Sequence, residues 1–144
     1  MIIKNINRFS ERVFEAVSGM LIQLSPDAAL LTRDNFKRIL ASEGSHLFIS
    51  ELDNKKITGM LSIGTYQTPT GIKVWIEDVV VDESYRGKGI GKELMNFAVN
   101  YSKSLGAKDV RLTSRPSRIA ANKLYSELGF KKYETNFYKY LLDN

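Results

Sequence analysis

A glycine-rich turn follows the most β-branched run of the chain and suggests an anion-binding site. The run Val79-Val80-Val81 ends an apolar segment, and glycines then occupy every second position of 87–91. Apolar residues at helical spacing follow, so the pattern predicts a strand, a turn and the start of a helix. The first amides of a helix lack intrahelical partners, and glycine lets a ligand approach the backbone closely. With positive charge from Lys88 and Lys92, the stretch is suited to a pyrophosphate.

The spacing of these glycines excludes two common phosphate-binding motifs. The dinucleotide pattern G-x-G-x-x-G is not matched, and the P-loop fails because Glu93 follows Gly91-Lys92 and Arg86 stands where its first glycine belongs. The signature [QR]-x-x-G-x-[GA] does match, as Arg86-Gly87-Lys88-Gly89-Ile90-Gly91. This segment resembles the pyrophosphate loop of the GNAT superfamily of acetyl-CoA-dependent N-acetyltransferases.

A second segment carries the same resemblance. Residues Asn122-Lys123-Leu124-Tyr125-Ser126-Glu127-Leu128-Gly129-Phe130 are similar to the superfamily's N-x-L-Y-x-x-x-G-F segment. A predicted strand and the start of a helix separate it from the glycine loop, in the order that the family shows. The resemblance covers Trp75 to Phe130 closely and the whole chain in the order of its elements.

Length and composition indicate one soluble globular domain over residues 1–144. The chain is 43% apolar and 26% charged, and no apolar run is long enough to span a membrane. With no cysteine there is no disulfide, thiol nucleophile or cysteine-based zinc site, and no metal site is predicted. The first residues do not follow a signal-peptide layout, and the absence of cysteine suits a reducing compartment, so we expect a cytoplasmic location.

The positive charge is concentrated in the last third of the chain. Residues 1–100 contain 12 basic and 12 acidic residues, whereas residues 101–144 contain 9 basic and 4 acidic ones. Such a bias suits either a solvated basic face or a polyanionic ligand such as a phosphorylated cofactor. No helix-turn-helix, zinc-finger or aromatic RNA-binding signature accompanies it, so nucleic acid is an unlikely partner.

The periodicities predict an α/β fold in the order β-α-α-β-β-β-α-β-α-β-β, which is also the GNAT order. The expected sheet is central, mixed and mostly antiparallel, with helices flanking it. The predicted strands and helices, in order, are Met1–Ile6, a helix from Ser10 to Leu24, a helix from Thr32 that ends before Gly44, His46–Leu52, Ile57–Tyr66, Lys73–Val81, Gly89–Leu105, Asp109–Thr113, Ser117–Leu128, Phe130–Tyr133 and Asn136–Leu142.

The resemblance assigns the donor site to backbone groups. It implies that the strand end Val79, Val80 and Val81 pairs with the pantetheine arm of acetyl-CoA, with one N–H near Val79 or Val80 facing the thioester oxygen. The pyrophosphate would be held by the amides of Arg86, Gly87, Lys88, Gly89, Ile90, Gly91 and Lys92. In GNAT-like proteins the first two helices line the acceptor pocket, although both could serve only core packing here.

Acetyl transfer to an amine requires a base and an acid, and each has one leading candidate. Glu77 and Asp78 are adjacent carboxylates inside an apolar strand, on opposite faces if alternation holds. Similar Ile-Glu-Asp-Val stretches in GNAT-like enzymes favour Glu77 as base or acceptor ligand; an ordinary ion pair is the alternative. Tyr125 is the candidate acid, because a phenol can protonate a thiolate of comparable basicity. His46, the single histidine, is more consistent with a structural position.

One position departs from the family pattern. Many relatives carry an asparagine seven residues before this tyrosine, and Arg118 stands there. Either Arg118 contacts a cofactor phosphate, or Asn122 supplies the missing hydrogen bond.

The sequence therefore predicts an N-acetyltransferase that moves an acetyl group from acetyl-CoA directly to a primary amine. A non-catalytic acyl-CoA-binding or regulatory module on the same fold is the alternative. The ending Phe137–Leu142 could offer an edge strand to a second copy, which would give a homodimer, or pack in the core.

Overall fold

The computed structural model describes residues 1–143, which form two compact units. Met1–Thr113 makes up the first unit, and the second begins at Ser114. The elements in chain order are β1 Ile2–Ile6, α1 Glu11–Leu24, α2 Arg33–Ala41, β2 Ser45–Glu51, β3 Ile57–Thr68, β4 Gly71–Val81, a single 3-10 turn Glu83–Tyr85, α3 Ile90–Ser104 and α4 Ile119–Glu127. The α/β class is confirmed, and the elements follow the predicted order through α4, except that no full strand forms between α3 and α4. That all 144 residues act as one domain stays a prediction.

The first two helices begin at the caps that the sequence indicates. The Ser10 hydroxyl accepts a hydrogen bond from the Val13 amide at 3.3 Å, and the Thr32 hydroxyl accepts one from Asn35 at 3.1 Å. Each satisfies an amide that the helix itself leaves unpaired.

The four strands pair in sequence order, β1-β2-β3-β4, and every neighbouring pair is antiparallel. Because successive side chains alternate between the two faces, this register assigns each residue to one side of the sheet. The two sides are covered by different helices, and they are called the α1 face and the α3 face below.

Apolar packing identifies both faces. On the α1 face, Leu47, Ile49, Met60 and Val80 share one buried cluster with residues of α1. On the α3 face, the Phe48 ring lies 4.8 Å from that of Phe97 and 5.0 Å from that of Tyr101. The first unit is therefore a sheet between two helical layers, the arrangement expected when both faces of a sheet are apolar.

A buried carboxylate ties β1, β2 and α1 together. The Glu51 side chain is 1% exposed and accepts hydrogen bonds from Lys4 at 2.6 Å and Arg12 at 2.7 Å. These two hydrogen bonds lower the pKa of Glu51 despite the opposing effect of burial. The network replaces the water that this carboxylate loses on folding.

His46 also has a structural position, on the α3 face. Its Nε2 lies 3.3 Å from the Thr65 hydroxyl, and its Nδ1 lies 3.4 Å from the Tyr101 hydroxyl. Both ring nitrogens are thus within reach of protein partners.

The predicted strand Asp109–Thr113 is reduced to a single bridge. Only Arg111 pairs, in parallel, with Trp75 of β4: the Ile76 amide donates to the Arg111 carbonyl at 2.8 Å, and the Arg111 amide donates to the Val74 carbonyl at 3.0 Å. The four strands of the sheet are therefore all antiparallel to their neighbours, and the only parallel pairing among the described residues is this single bridge at the β4 edge.

The prediction of two C-terminal strands was wrong. Neither Phe130–Tyr133 nor Asn136–Leu142 forms a strand, and Phe137, Tyr138 and Tyr140 are at least 75% exposed. A high aromatic content shows that the side chains are compatible with a β-strand. A segment becomes a strand, however, only when its backbone pairs with that of a neighbouring strand. No segment of the second unit, among its described residues, supplies that neighbour.

The Glu51 network predicts a pH-dependent contribution to stability. Glu51→Gln should lower the free energy of unfolding by about 1–3 kcal/mol at pH 7, because it leaves two cations without their carboxylate. The folded-state pKa lies below the ordinary value of 4.5, so this contribution is present above pH 4.5 and is lost as the pH falls further. Urea unfolding of both proteins between pH 7 and pH 3 measures the difference.

Glu11→Gln is the matched control. Glu11 pairs with Arg33 at 2.6 Å, but both side chains are more than half exposed, so its removal should change stability much less. Equal effects of the two substitutions would contradict the structural role assigned to Glu51.

Candidate active site

The end of β4 contains a β-bulge at the two predicted carboxylates. Glu77 pairs with Ser62 and Val80 pairs with Met60. An advance of three residues along β4 therefore corresponds to two residues along β3, so β4 contains one extra residue. Asp78 lies within this extra length with φ of 50°, in the left-handed region. Aspartate enters this region more readily than most residues because its short side chain can bond locally, and bulges often re-aim side chains beside active sites.

The bulge decides which face Glu77 occupies. Ser62 is the β3 partner of Glu77, and it lies two residues from Met60, so it is on the α1 face like Met60. Paired residues share a face of the sheet, so Glu77 is on the α1 face too. Val80 is on that face as well, although strict alternation would place positions 77 and 80 on opposite faces. Glu77 is exposed there, and no ion pair within residues 1–143 involves it. The ordinary ion pair considered as an alternative is absent from that part of the chain.

Beyond the bulge, the outer edge of β4 carries no strand among the described residues. The Asp82 amide donates a hydrogen bond towards β3, to the Thr58 carbonyl at 2.9 Å. By contrast, the Val81 carbonyl accepts a hydrogen bond from Nε of Arg86 at 3.1 Å, on the outer side of β4. Val80 pairs with Met60, so its backbone groups bond towards β3. Because backbone groups of an antiparallel strand alternate in direction, we infer that the amide of the preceding residue, Val79, faces the free edge. Of the two predicted donors, Val79 is the one with this orientation.

The polar turn after β4 is built from local hydrogen bonds. The Asp82 carboxylate accepts from the Ser84 amide at 2.9 Å and its carbonyl accepts from the Tyr85 amide at 2.8 Å. From helix α1, the Gln23 side chain accepts a hydrogen bond from the Glu83 amide at 2.9 Å. The glycine loop therefore starts from a fixed turn that is also attached to α1.

Two glycines of the loop adopt conformations that other residues rarely take. Gly87 has φ of 76° and Gly89, which caps α3, has φ of 82°. No side chain caps the first turn of α3, so its leading amides keep their free hydrogen-bonding capacity. Free helix amides and the helix dipole favour anions, so this geometry is compatible with the predicted pyrophosphate loop, whose role stays a prediction.

The remaining predicted residues lie in the second unit, on or beside α4. Asn122 donates through its side chain to the Arg115 carbonyl at 2.9 Å, which holds the segment that leads into the helix. Arg118 caps α4 without a side-chain bond to the helix. Tyr125 is 8% exposed, and its ring lies 6.1 Å from that of Phe130.

The environment of Tyr125 keeps its phenol protonated. Burial raises the pKa of Tyr125 above its ordinary value of 10, and the positive charge of Arg118 opposes this to a smaller extent. The phenol is therefore protonated at neutral pH.

Sequence reasoning missed an aromatic pair beside Glu77. The Trp75 indole donates to the Tyr66 hydroxyl at 3.3 Å, across the β3–β4 pair. Tyr66 lies opposite Lys73 and is 54% exposed. The two-residue turn Pro69-Thr70 joins β3 to β4 and sets their register, so pairing the strands from this turn places Tyr66 next to Trp75.

A comparison with protein families finds one model that matches most of the chain. The acetyltransferase (GNAT) family model aligns with residues 11–130, which include β4, the glycine loop and α4. The chain belongs to this family. Acyltransferase enzymes make up the family, and membership confirms the resemblance carried by the two sequence motifs.

Individual GNAT relatives agree with this assignment. The chain is 30% identical over 113 residues to the uncharacterized N-acetyltransferase YycN of Bacillus subtilis, covering 76% of this chain and 72% of that one. It is 29% identical over 116 residues to human N-acetyltransferase 8B, covering 78% of this chain and 51% of that one. The chain thus spans about half the length of this human relative.

A solved GNAT-type structure has the same fold. A putative acetyltransferase from Agrobacterium tumefaciens superposes with a TM-score of 0.86 at 20% identity, covering 98% of this chain and 100% of that one. Within residues 1–143 there is no helix with the length and apolarity that crossing a membrane requires.

The left-handed Asp78 predicts opposite effects of two substitutions. Asp78→Gly should leave the free energy of unfolding unchanged or raise it slightly, whereas Asp78→Val should lower it by about 1–2 kcal/mol, because a β-branched residue is strained at positive φ. Thermal or urea unfolding measures both.

Lys55, the other non-glycine residue with positive φ among the described residues, provides the control at 66°. Lys55→Gly should reproduce the stability effect of Asp78→Gly at a turn outside the site. If Asp78→Val is as stable as the parent protein, the bulge geometry is incorrect.

Proposed function

We propose that this GNAT protein is an N-acetyltransferase that moves an acetyl group from acetyl-CoA directly to a primary amine. The observation that carries the proposal is the free edge of β4 leading directly into the uncapped, glycine-rich start of α3. One surface thereby offers strand-edge amides for an extended arm and helix amides for a diphosphate.

The chain's own groups fit the donor. The amides of residues 86–92 would hold the pyrophosphate, with Lys88 and Lys92 contributing positive charge. The family resemblance assigns the strand end Val79–Val81 to the pantetheine arm. Because Val80 is paired with β3 and the Val81 carbonyl accepts a hydrogen bond from Arg86, Val79 would provide the backbone groups that pair with the arm. When bound, acetyl-CoA supplies the acetyl group as a thioester and leaves as the thiol.

Val79 is the proposed hydrogen-bond donor to the thioester oxygen. Its amide is directed to the free edge, whereas that of Val80 points towards β3. A backbone amide fixed by a bulge needs no reorganisation as negative charge develops on that oxygen, which is the condition for effective electrostatic stabilisation.

Glu77 is the proposed base. Its carboxylate lies exposed on the α1 face, two residues before Val79, and is free to accept a proton from an ammonium directly or through water. The neutral amine can then form the new C–N bond as the C–S bond breaks. The nitrogen loses its second proton to water, and the acid that has protonated the departing sulfur regains a proton from water.

Tyr125 is the proposed acid, which gives its phenolic proton to the departing sulfur. Its buried, protonated state supports this role, since a donor must hold its proton at the working pH. Arg118 is proposed to contact a cofactor phosphate; Asn122 has one amide hydrogen bond to Arg115 and is proposed to position the start of α4.

A homodimer and a cytoplasmic location remain predictions. The exposed aromatic ending 137–142 supports self-association, because such a surface is usually covered in an assembly. Sedimentation of the purified chain tests it.

The first test of the proposal is a thermal-shift titration with acetyl-CoA, with NAD and ATP as controls. A ligand bound by the native state alone raises the melting temperature, so a shift specific to acetyl-CoA is expected. Release of free thiol with a panel of amines then reports transfer. Binding without turnover on any amine would favour the non-catalytic module.

Gly89→Ala should weaken acetyl-CoA binding. An alanine at φ of 82° is strained, by about 1–2 kcal/mol, and relief of that strain would move the first amides of α3. The expected result is at least a tenfold rise in the dissociation constant, measured by calorimetry.

Gly19→Ala is the control for this substitution. Gly19 lies in α1, and apart from its own helix backbone and chain neighbours no atom lies within 4 Å of the position that an added methyl group would take. Alanine should therefore stabilise the helix and leave the affinity unchanged. Parental affinity in Gly89→Ala would argue against the loop as the pyrophosphate site.

Loss of either proposed catalytic group should reduce turnover without abolishing donor binding. Tyr125→Phe and Glu77→Gln should each lower kcat by about 100-fold, the usual contribution of a general acid or base. Tyr133→Phe, at an 80% exposed site, and Glu43→Gln, also exposed, should be neutral. Because the pKa of Tyr125 is raised, its deprotonation should cause no loss of activity below pH 10.

A further inference from the structure

One half of the α1 face is left uncovered by helix α1. On the α3 face of the same strands, Ile63, Val74 and Ile76 are at most 3% exposed. On the α1 face their neighbours are open: Tyr66 and Glu77 are exposed, and Lys73 and Trp75 are partly exposed. We call these four residues the open strip.

The strip is in register and ends at the proposed base. Lys73, Trp75 and Glu77 alternate along β4 on one face, and Tyr66 lies directly opposite Lys73 on β3. At about 3.3 Å per residue, neighbouring members on β4 are about 7 Å apart and the strip is about 13 Å long.

An aromatic platform occupies its middle. The hydrogen bond from the Trp75 indole N–H to the Tyr66 hydroxyl, at 3.3 Å, joins the edge of one ring to the hydroxyl end of the other. Two aromatic side chains joined in this way provide a large contact area for a flat, apolar part of a ligand, at little cost in conformational entropy.

The two ends of the strip carry opposite charge. Glu77 lies at one end, and no ion pair within residues 1–143 involves it. At the other end is Lys73, and the Arg111 guanidinium lies 6.0 Å from the Trp75 ring centroid. Asp109 neutralises part of the Arg111 charge through hydrogen bonds of 2.9 and 3.4 Å. The positive end therefore rests chiefly on Lys73, with Arg111 in support.

We propose that the open strip binds the acceptor, and that this acceptor is a zwitterionic primary amine. Its ammonium lies at Glu77, its flat apolar body contacts Trp75 and Tyr66, and its anionic group lies at Lys73 and Arg111. The inference rests on the proposed acetyl transfer and adds to it the class of amine. A second cation at the far end is disfavoured, because it meets like charge.

Three amines with one common body test this inference. Phenethylamine, 4-(2-aminoethyl)benzoate and 4-(2-aminoethyl)benzylamine differ at the para position, which carries hydrogen, a carboxylate or a second ammonium. The expected order of kcat/KM is benzoate first, phenethylamine second and the diamine last. The preference for the benzoate should decline with added salt, because the strip is open to solvent.

Substitutions locate the effect on the strip. Lys73→Met keeps most of the stem and removes the charge, so kcat/KM for the benzoate should fall about fivefold, about 1 kcal/mol, while phenethylamine is unaffected. Lys73→Arg should retain the preference. Trp75→Leu should lower kcat/KM for all three amines about tenfold. Lys56→Met, at an exposed turn position, is the matched control and should change nothing.

The outcomes separate this inference from the proposed function. If acetyl-CoA raises the melting temperature and amines are acetylated without regard to the para charge, or the order survives Lys73→Met, the inference is wrong and the transferase stands. If no amine is acetylated, the transferase proposal fails. Calorimetry of the three amines with the CoA-saturated protein then still tests whether the open strip binds a zwitterionic amine. Binding of the benzoate that depends on Lys73 supports the strip, and equal or absent binding overturns it.

Discussion

The bulge in β4 is the constraint on which the first unit's candidate site depends. A strand without it would send Glu77 and Val80 to opposite faces, because side chains alternate. With Asp78 at positive φ, Glu77 stays on the α1 face while the following strand end still packs Val80 into the core. One strained residue thereby lets a single strand serve both as core and as the edge that leads to the glycine loop.

Rigid packing behind the site keeps this edge in place. Both faces of the sheet bury large apolar residues, and Glu51 joins β1, β2 and α1 through two charge-assisted hydrogen bonds. Gln23 extends the attachment from α1 to the turn before the loop. Backbone groups that bind a ligand are effective only when such a scaffold holds them, since their placement is otherwise lost to motion.

In the proposed acceptor site, charge along β4 would add a selectivity that the backbone cannot supply. Amides recognise an extended arm and a diphosphate in any protein of this design, but they do not distinguish one amine from another. Discrimination requires side chains at set spacing, and Lys73, Trp75 and Glu77 have it because they alternate on one uncovered face.

The sequence by itself determined the family, the order of the first four strands and of the helices, and the glycine turn before α3, because these depend on local patterns: caps at Ser10 and Thr32, apolar periodicity and glycine spacing. Tertiary structure decided the rest. The Asp78 bulge, the direction of the Val79 amide and the Trp75–Tyr66 pair all follow from the β3–β4 register. The C-terminal strand predictions were wrong for the same reason, since a β-prone segment becomes a strand only through a partner that its own residues do not specify.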